Sequence, residues 1–186
     1  MTRSQIDPRR LERLADKEET LESLQRFARG IDRFDRELFL SAFHADCEIA
    51  AGSFVGCPVE LWDWSHKLHD VGQTMTQHCL LNHTCDLDGD VAHCETYYLF
   101  VARNRDGTTW QAGGRYITRQ ERREGIWRIA THTNAFEWAA QPTTLPRPFG
   151  DVPDIDANGP VARGREDMSY ARPLTNRRKR NIPEVG

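Results

Sequence analysis

The 186-residue sequence predicts an α+β fold, with N-terminal helices packed in a strongly curved, mainly antiparallel sheet. Three observations predict it. Apolar residues recur at helical spacing through the first third of the chain. From residue 74 onward four long strand-like runs follow one another, separated by tight turn signals. Helices that all precede the sheet should cover one face only, so the sheet should curl over them into a one-sided cone with a pocket on its concave side.

The elements follow in order. Asp7-Pro8 is a helix start, an acidic cap followed by proline at the first helical position. Leu11, Leu14, Ala15, Leu21, Leu24, Ala28 and Ile31 extend an apolar stripe, so a helix is expected over 8–32. Asp16 and Glu19 offer a second capping box that would break it near 16. Asp35 caps a short helix over 36–43 that should bury Leu38, Phe39, Ala42 and Phe43. A short strand is expected at 47–51. Pro58 opens a third helix, to about residue 70, carrying Leu61, Trp62, Trp64 and Leu68. The strand runs are 75–87, 91–103, 108–122 and 126–137. Asp88-Gly89-Asp90, Arg105-Asp106-Gly107 and Glu124-Gly125 join them as an antiparallel meander. The expected domain is 1–138. Residues 139–186 carry seven prolines and a basic run, Arg177–Arg180, and are expected to be an extended tail.

Composition excludes several functions. Lys and Arg total 25 against 28 Asp and Glu, a net charge of −3, which lacks the basic excess of a dedicated nucleic-acid binder. No apolar run reaches the roughly 18 residues of a membrane span. The N-terminus, MTRSQIDPRR, has no apolar stretch behind its charges and does not read as a secretory signal. Five cysteines, Cys47, Cys57, Cys79, Cys85 and Cys94, are odd in number and show no C-x-x-C spacing. They are expected to be reduced thiols packed in the core of a cytoplasmic protein, with no metal.

Four segments could carry chemistry. Asp32 ends the first helix, where the macrodipole disfavours a negative charge, so an acid there needs compensation or a use. Thr76-Gln77-His78, Gly113-Gly114-Arg115-Tyr116 and Trp127–Asn134 lie on strands. Strand alternation groups His78 with Leu80 and Asn82, Gly114 with Tyr116 and Thr118, and Ala130 with His132, Asn134 and Phe136. Trp127, Ile129, Thr131 and Thr133 fall on the opposite face, unless a bulge inverts part of a strand. A face that mixes His, Asn and Tyr with apolar residues suits a small-molecule pocket. Arg115 is expected to pair with acids on the outer face. His93 and Glu95 share a face and are read as a surface pair before a metal site.

The ordered set Arg29-Gly30-Ile31-Asp32, Phe43-His44-Ala45-Asp46, Thr76-Gln77-His78, Asp88-Gly89-Asp90, Gly113-Gly114-Arg115-Tyr116 and Gly125–Ile129 resembles the SnoaL-like branch of the NTF2-like superfamily, over roughly residues 10–138. Within it, the helix-end acid and strand histidine are similar to those of the scytalone dehydratase and hexachlorocyclohexane dehydrochlorinase families. The resemblance implies an NTF2-like cone and a catalytic pair in which His78 takes a proton and Asp32 orients it. A carboxylate on one ring nitrogen fixes the tautomer and supports the imidazolium that forms. The dehydratase's second histidine has no match at Val101, and its two tyrosines have none at Ile31 and about Ala50. Tyr116, His132 and Asn134 could instead bind a hydroxyl or developing oxyanion, with Tyr97, Leu99, Trp62, Trp64 and Phe136 as flat apolar walls.

The expected activity is therefore elimination from a small, apolar or aromatic substrate by a lyase or dehydratase without a cofactor, including deformylation of a diaryl diol as in the formaldehyde lyases of the same branch. An isomerase using the same base is an alternative. So is a non-catalytic binding or assembly subunit, like the small subunit of ring-hydroxylating dioxygenases. The resemblance also implies a homodimer or homotrimer.

Overall fold

A computed structural model describes residues 7–181. The expectations for residues 1–6, and for Pro183 in the tail, lie outside the described residues. Three helices, α1 (Pro8–Asp32), α2 (Arg36–Ser41) and α3 (Pro58–Gly72), pack against a six-stranded curved sheet. The strands are β1 (Phe43–Ala51), β2 (Phe54–Gly56), β3 (Gln73–Asp88), β4 (Val91–Asn104), β5 (Thr109–Arg123) and β6 (Ile126–Ala140). Their order is β2-β1-β6-β5-β4-β3. The last four form the expected meander, and β1 joins β6 in parallel.

α1 is one unbroken helix. Asp7 caps it by accepting from the Arg9 amide at 3.1 Å. Asp16 does not restart it: its carboxylate accepts from Trp127 Nε1 at 2.9 Å and pairs with Arg122 at 2.7 Å. Leu11 and Leu14 are exposed, and the buried residues of α1 begin only at Thr20. From there Thr20, Ser23, Leu24, Phe27, Ala28 and Ile31 face the sheet. Gln120, fully buried on β5, donates to Thr20 O at 3.0 Å and accepts from Ser23 Oγ at 2.7 Å, which ties the helix across the sheet. Phe27 sits at the centre, with ring centroids 5.4–5.7 Å from Phe39, Phe43, Tyr116 and His132. Full burial of such a side chain stabilises by about 1.5–3 kcal/mol.

α2 ends at Ser41, two residues earlier than its apolar spacing suggests, because Phe43 already pairs with Ile129 in the sheet. Asp35 caps α2 through the Leu38 amide at 3.2 Å. α1 and α2 meet closely at Gly30: a Cβ there would lie 2.5 Å from the Phe39 backbone nitrogen. β1 begins four residues before the expected strand, and β2 is an edge strand too short to show a pattern.

Bulges overturn several alternation groupings. On β3 the register shifts between Leu80 and His83, so Asn82 points to solvent while His83 and Cys85 turn inward. Opposite Arg119 and Gln120, β6 carries an extra residue, Ala130. Trp127 and Ile129 therefore share the inward face with His132 and Asn134 and pack in the core rather than on the outside. Gly114, Tyr116 and Thr118 do share the buried face of β5. On the outer face Arg115 bridges Glu95 at 2.8 Å and Glu137 at 2.6 Å, and His93 is exposed.

Residues 162–170 of the tail lie on the turn that joins α1 to α2 in the same chain. The Gly164 amide donates to Arg33 O at 2.6 Å, Tyr170 donates to Asp35 Oδ2 at 2.9 Å, and Arg163 donates to His69 O at 2.9 Å. Among the described residues no helix is long and apolar enough to cross a membrane.

Gly30→Ala should destabilise the fold by about 1–3 kcal/mol in urea unfolding, because overpacking against the α2 backbone outweighs the better helix propensity of alanine. An unchanged or higher midpoint would show that α2 shifts freely on α1.

Candidate active site

The end of α1 and the middle of β3 meet at Asp32 and His78. Asp32 Oδ2 accepts from the His78 backbone amide at 2.8 Å, and Oδ1 lies 2.7 Å from His78 Nδ1. A carboxylate can only accept, so Nδ1 carries a proton, and in the neutral imidazole this leaves the lone pair on Nε2. Asp32 is only 9% exposed. Burial alone would raise its pKa, but the opposing charge and two hydrogen bonds of His78 hold it below the usual carboxylate range. The same bonds offset the unfavourable helix-end position.

His78 borders a cavity of about 300 Å³ between the helices and the concave sheet. Its inner wall is Phe27, Ile31, Tyr98, Phe100, Tyr116 and His132. Asn134, Leu61, Ser65 and His69 also line it, and half-exposed Trp64, Leu68, Trp110 and Phe136 form an apolar mouth. The Tyr98 and Tyr116 rings stack 4.3 Å apart, 10° from parallel, and the Phe100 ring lies 4.6 Å from the His78 ring.

Of the sequence-predicted site residues, the structure brings Asp32, His78, Tyr116, His132, Asn134 and Phe136 together at this cavity, Asp32 from behind His78. Three others do not reach it. Tyr97 and Leu99 point to the outer face, because β4 alternates without a bulge here and its inward residues are Tyr98 and Phe100. Trp62 faces the helix layer, stacked on His66 and edge-on to Phe39, while its neighbours Leu61 and Trp64 line the cavity. The wall residues that escaped sequence reasoning include His69, Tyr98, Phe100 and Trp110. A signal existed for His69, since Leu61, Ser65 and His69 recur every four residues on α3.

Polar groups in the cavity wall are short of partners. His132 Nδ1, Asn134 Oδ1 and the Tyr98 hydroxyl are buried without a hydrogen bond among the described residues. Asn134 sits near enough to Tyr98 to favour its phenolate, but burial dominates and pushes the phenol up. Burial pushes Tyr116 well up too, so both phenols keep their protons as donors. His132 is pushed down to about 4 by burial, and His69 to about 4 by burial against the opposing bond from Gln73. Both are neutral imidazoles at pH 7. Of the three histidines lining the cavity, only His78 touches a carboxylate among the described residues.

A SnoaL-like domain model matches residues 12–133, and the chain belongs to that family. The fold is the NTF2-like α+β cone, as solved structures confirm. A type 2 hexachlorocyclohexane dehydrochlorinase (LinA) superposes with a TM-score of 0.68 at 16% identity, covering 74% of this chain and 97% of that one. A protein provisionally called a scytalone dehydratase, from Novosphingobium aromaticivorans DSM 12444, gives 0.63 at 15% identity, with coverages of 72% and 91%. One provisionally called an aromatic ring hydroxylase, from the same species, gives 0.63 at 18% identity, with coverages of 69% and 94%. No curated protein sequence matches the chain.

His69 and His132 stay neutral in the folded chain down to about pH 4 but take protons near 6.5 when unfolded. The unfolded state then binds more protons, so stability is full above pH 6.5 and falls as pH drops toward 4, by up to about 3 kcal/mol per imidazole. Urea unfolding between pH 7 and 4.5 should show this slope. His132→Leu should flatten it, and an equally steep variant would remove His132 as a cause.

Proposed function

We propose that the protein is a lyase that eliminates a small leaving group from a small, largely apolar, aromatic substrate by His78–Asp32 general base catalysis. The observation that carries this reading is the two-pronged Asp32–His78 contact beside a 300 Å³ apolar cavity. His78 Nε2 accepts a proton from the substrate. The electron pair left behind forms the new double bond, and the leaving group departs with its own pair. Asp32 stabilises the imidazolium, in surroundings dry enough to strengthen the attraction of the two charges. Tyr98, Tyr116 and neutral His132 can donate to the departing group or to an oxygen gaining charge, and Asn134 orients a hydroxyl.

The cavity supports the substrate class. Its aromatic walls and apolar mouth suit a flat ring, and its few unpartnered polar atoms suit a ring bearing hydroxyls. The same constellation fits deformylation of a diaryl diol, where His78 would take a hydroxyl proton, the freed pair would form the carbonyl of formaldehyde, and the pair of the broken carbon–carbon bond would form the alkene as the second hydroxyl leaves with its own pair. The dehydrochlorinase among the structural neighbours gives the elimination reading a precedent on this fold, no more. These residues suffice for proton abstraction without a cofactor. An isomerase would return the proton to another carbon, and deuterium incorporation into product from heavy water separates the two. A non-catalytic subunit would have no use for an oriented base beside open space. Pairing of copies through the outer face of the sheet belongs to the same reading.

Aromatic diols and hydroxylated ring compounds should be screened for a change in ultraviolet absorbance. On the compound found, His78→Ala should lower kcat/KM by about 10²–10⁴-fold with unchanged circular dichroism. Asp32→Asn should lower kcat more than it alters KM, since it removes the charge that supports imidazolium. Undiminished turnover by folded His78→Ala would end the mechanism.

A further inference from the structure

β3 carries a second inward histidine. His83 lies at an odd interval from His78 and would face outward on a regular strand. The bulge between Leu80 and His83 resets the alternation and brings it to the side of Cys85. Cys85 stands directly opposite Cys94 on β4. The ligand atoms of His83, Cys85 and Cys94 lie within 4.8 Å of one another. Both thiols are buried, 5% and 3% exposed, in a cluster with Ala92, Trp127 and Leu87 that is separate from the main core.

The histidine is prepared as a ligand. Nδ1 lies 2.7 Å from the fully buried Thr96 hydroxyl, while Nε2 is buried with no partner among the described residues. An orphaned buried nitrogen is destabilising and calls for an explanation. An outer group that accepts the Nδ1 proton and leaves Nε2 bare is how proteins aim a metal-binding imidazole. Thr20 of α1 closes the cluster from the helix side, its hydroxyl 3.5 Å from Cys85 Sγ.

We infer that His83, Cys85 and Cys94 form a structural site for a zinc-class divalent cation, joining β3 to β4 beneath α1. Two sulfurs and an imidazole nitrogen are a donor set that zinc prefers. Tetrahedral bonds of about 2.0–2.3 Å set ligand atoms roughly 3.3–3.8 Å apart, and these three already lie within 4.8 Å of one another. The Thr20 hydroxyl or a water fills the fourth position. Binding displaces one proton from each thiol, so two thiolates neutralise a dication and the buried site carries no net charge. A monovalent copper ion would leave a net negative charge there, which an apolar cluster disfavours. The site stands outside the substrate cavity, and its role is to hold the sheet together.

The test is titration of the reduced, metal-free full chain with cobalt(II). One cobalt per chain should bind, with thiolate-to-cobalt charge transfer in the near ultraviolet and d–d bands in the visible. Zinc should bleach both and raise the melting temperature. Cys85→Ser, Cys94→Ser and His83→Gln should each weaken cobalt binding by more than about tenfold, and Thr96→Val by about tenfold or more. Cys57→Ser, remote at the start of α3, should change nothing. The wild-type spectrum decides the matter even if a variant fails to fold. Absence of the charge-transfer band, or its survival in a Cys85→Ser/Cys94→Ser double variant, overturns the site.

Discussion

The contact on which the rest depends is the double acceptance by Asp32 of the His78 backbone and ring N–H groups. Among the described residues it is the one carboxylate contact between the last turn of α1 and the sheet, and it sits where the helix dipole resists a carboxylate. An unpaired acid buried there would cost several kcal/mol, so the helix end is stable only if β3 comes to meet it. The surroundings are arranged around that need. Gly30 lets α2 close on α1 two residues earlier, Asp35 caps α2 just beyond, and the tail fastens the intervening turn through Gly164 and Tyr170.

Once the acid is satisfied, the imidazole can be directional. The cavity contains three histidines in a similar apolar setting, yet burial keeps His69 and His132 neutral. Among the described residues only His78 of the three has a carboxylate to support a gained proton. In the proposed mechanism identical side chains thereby take different duties, one as a base and two as neutral hydrogen-bonding groups. The tyrosines belong to the second set, since burial preserves their protons.

Bulges connect core and site. One on β3 allows His78 and His83 both to face inward at an odd spacing. Another lets β6 supply Trp127 and Ile129 to the core and His132 and Asn134 to the cavity. Each also bends its strand, and a sheet bent over α1 is what makes a concave wall at all. Curvature and inward chemistry are thus products of the same inserted residues.

The sequence by itself determined the order of helices and strands, the meander, and the pairing of a helix-end acid with a strand histidine. The elements rest on local signals, namely caps, turn residues and apolar periodicity, and the acid–histidine pair rests on the family resemblance. Only the tertiary structure decided which residues face the cavity. Tyr98 and Phe100 displaced Tyr97 and Leu99, and Trp62 turned to the helix layer, because strand phase and helix rotation follow from what each element packs against. The grouping of His83, Cys85 and Cys94 was equally out of reach, since it joins two strands across a bulge and leaves no short cysteine spacing to read. A bulge is one residue of slip with no strong sequence mark, and it moves every side chain after it to the other face.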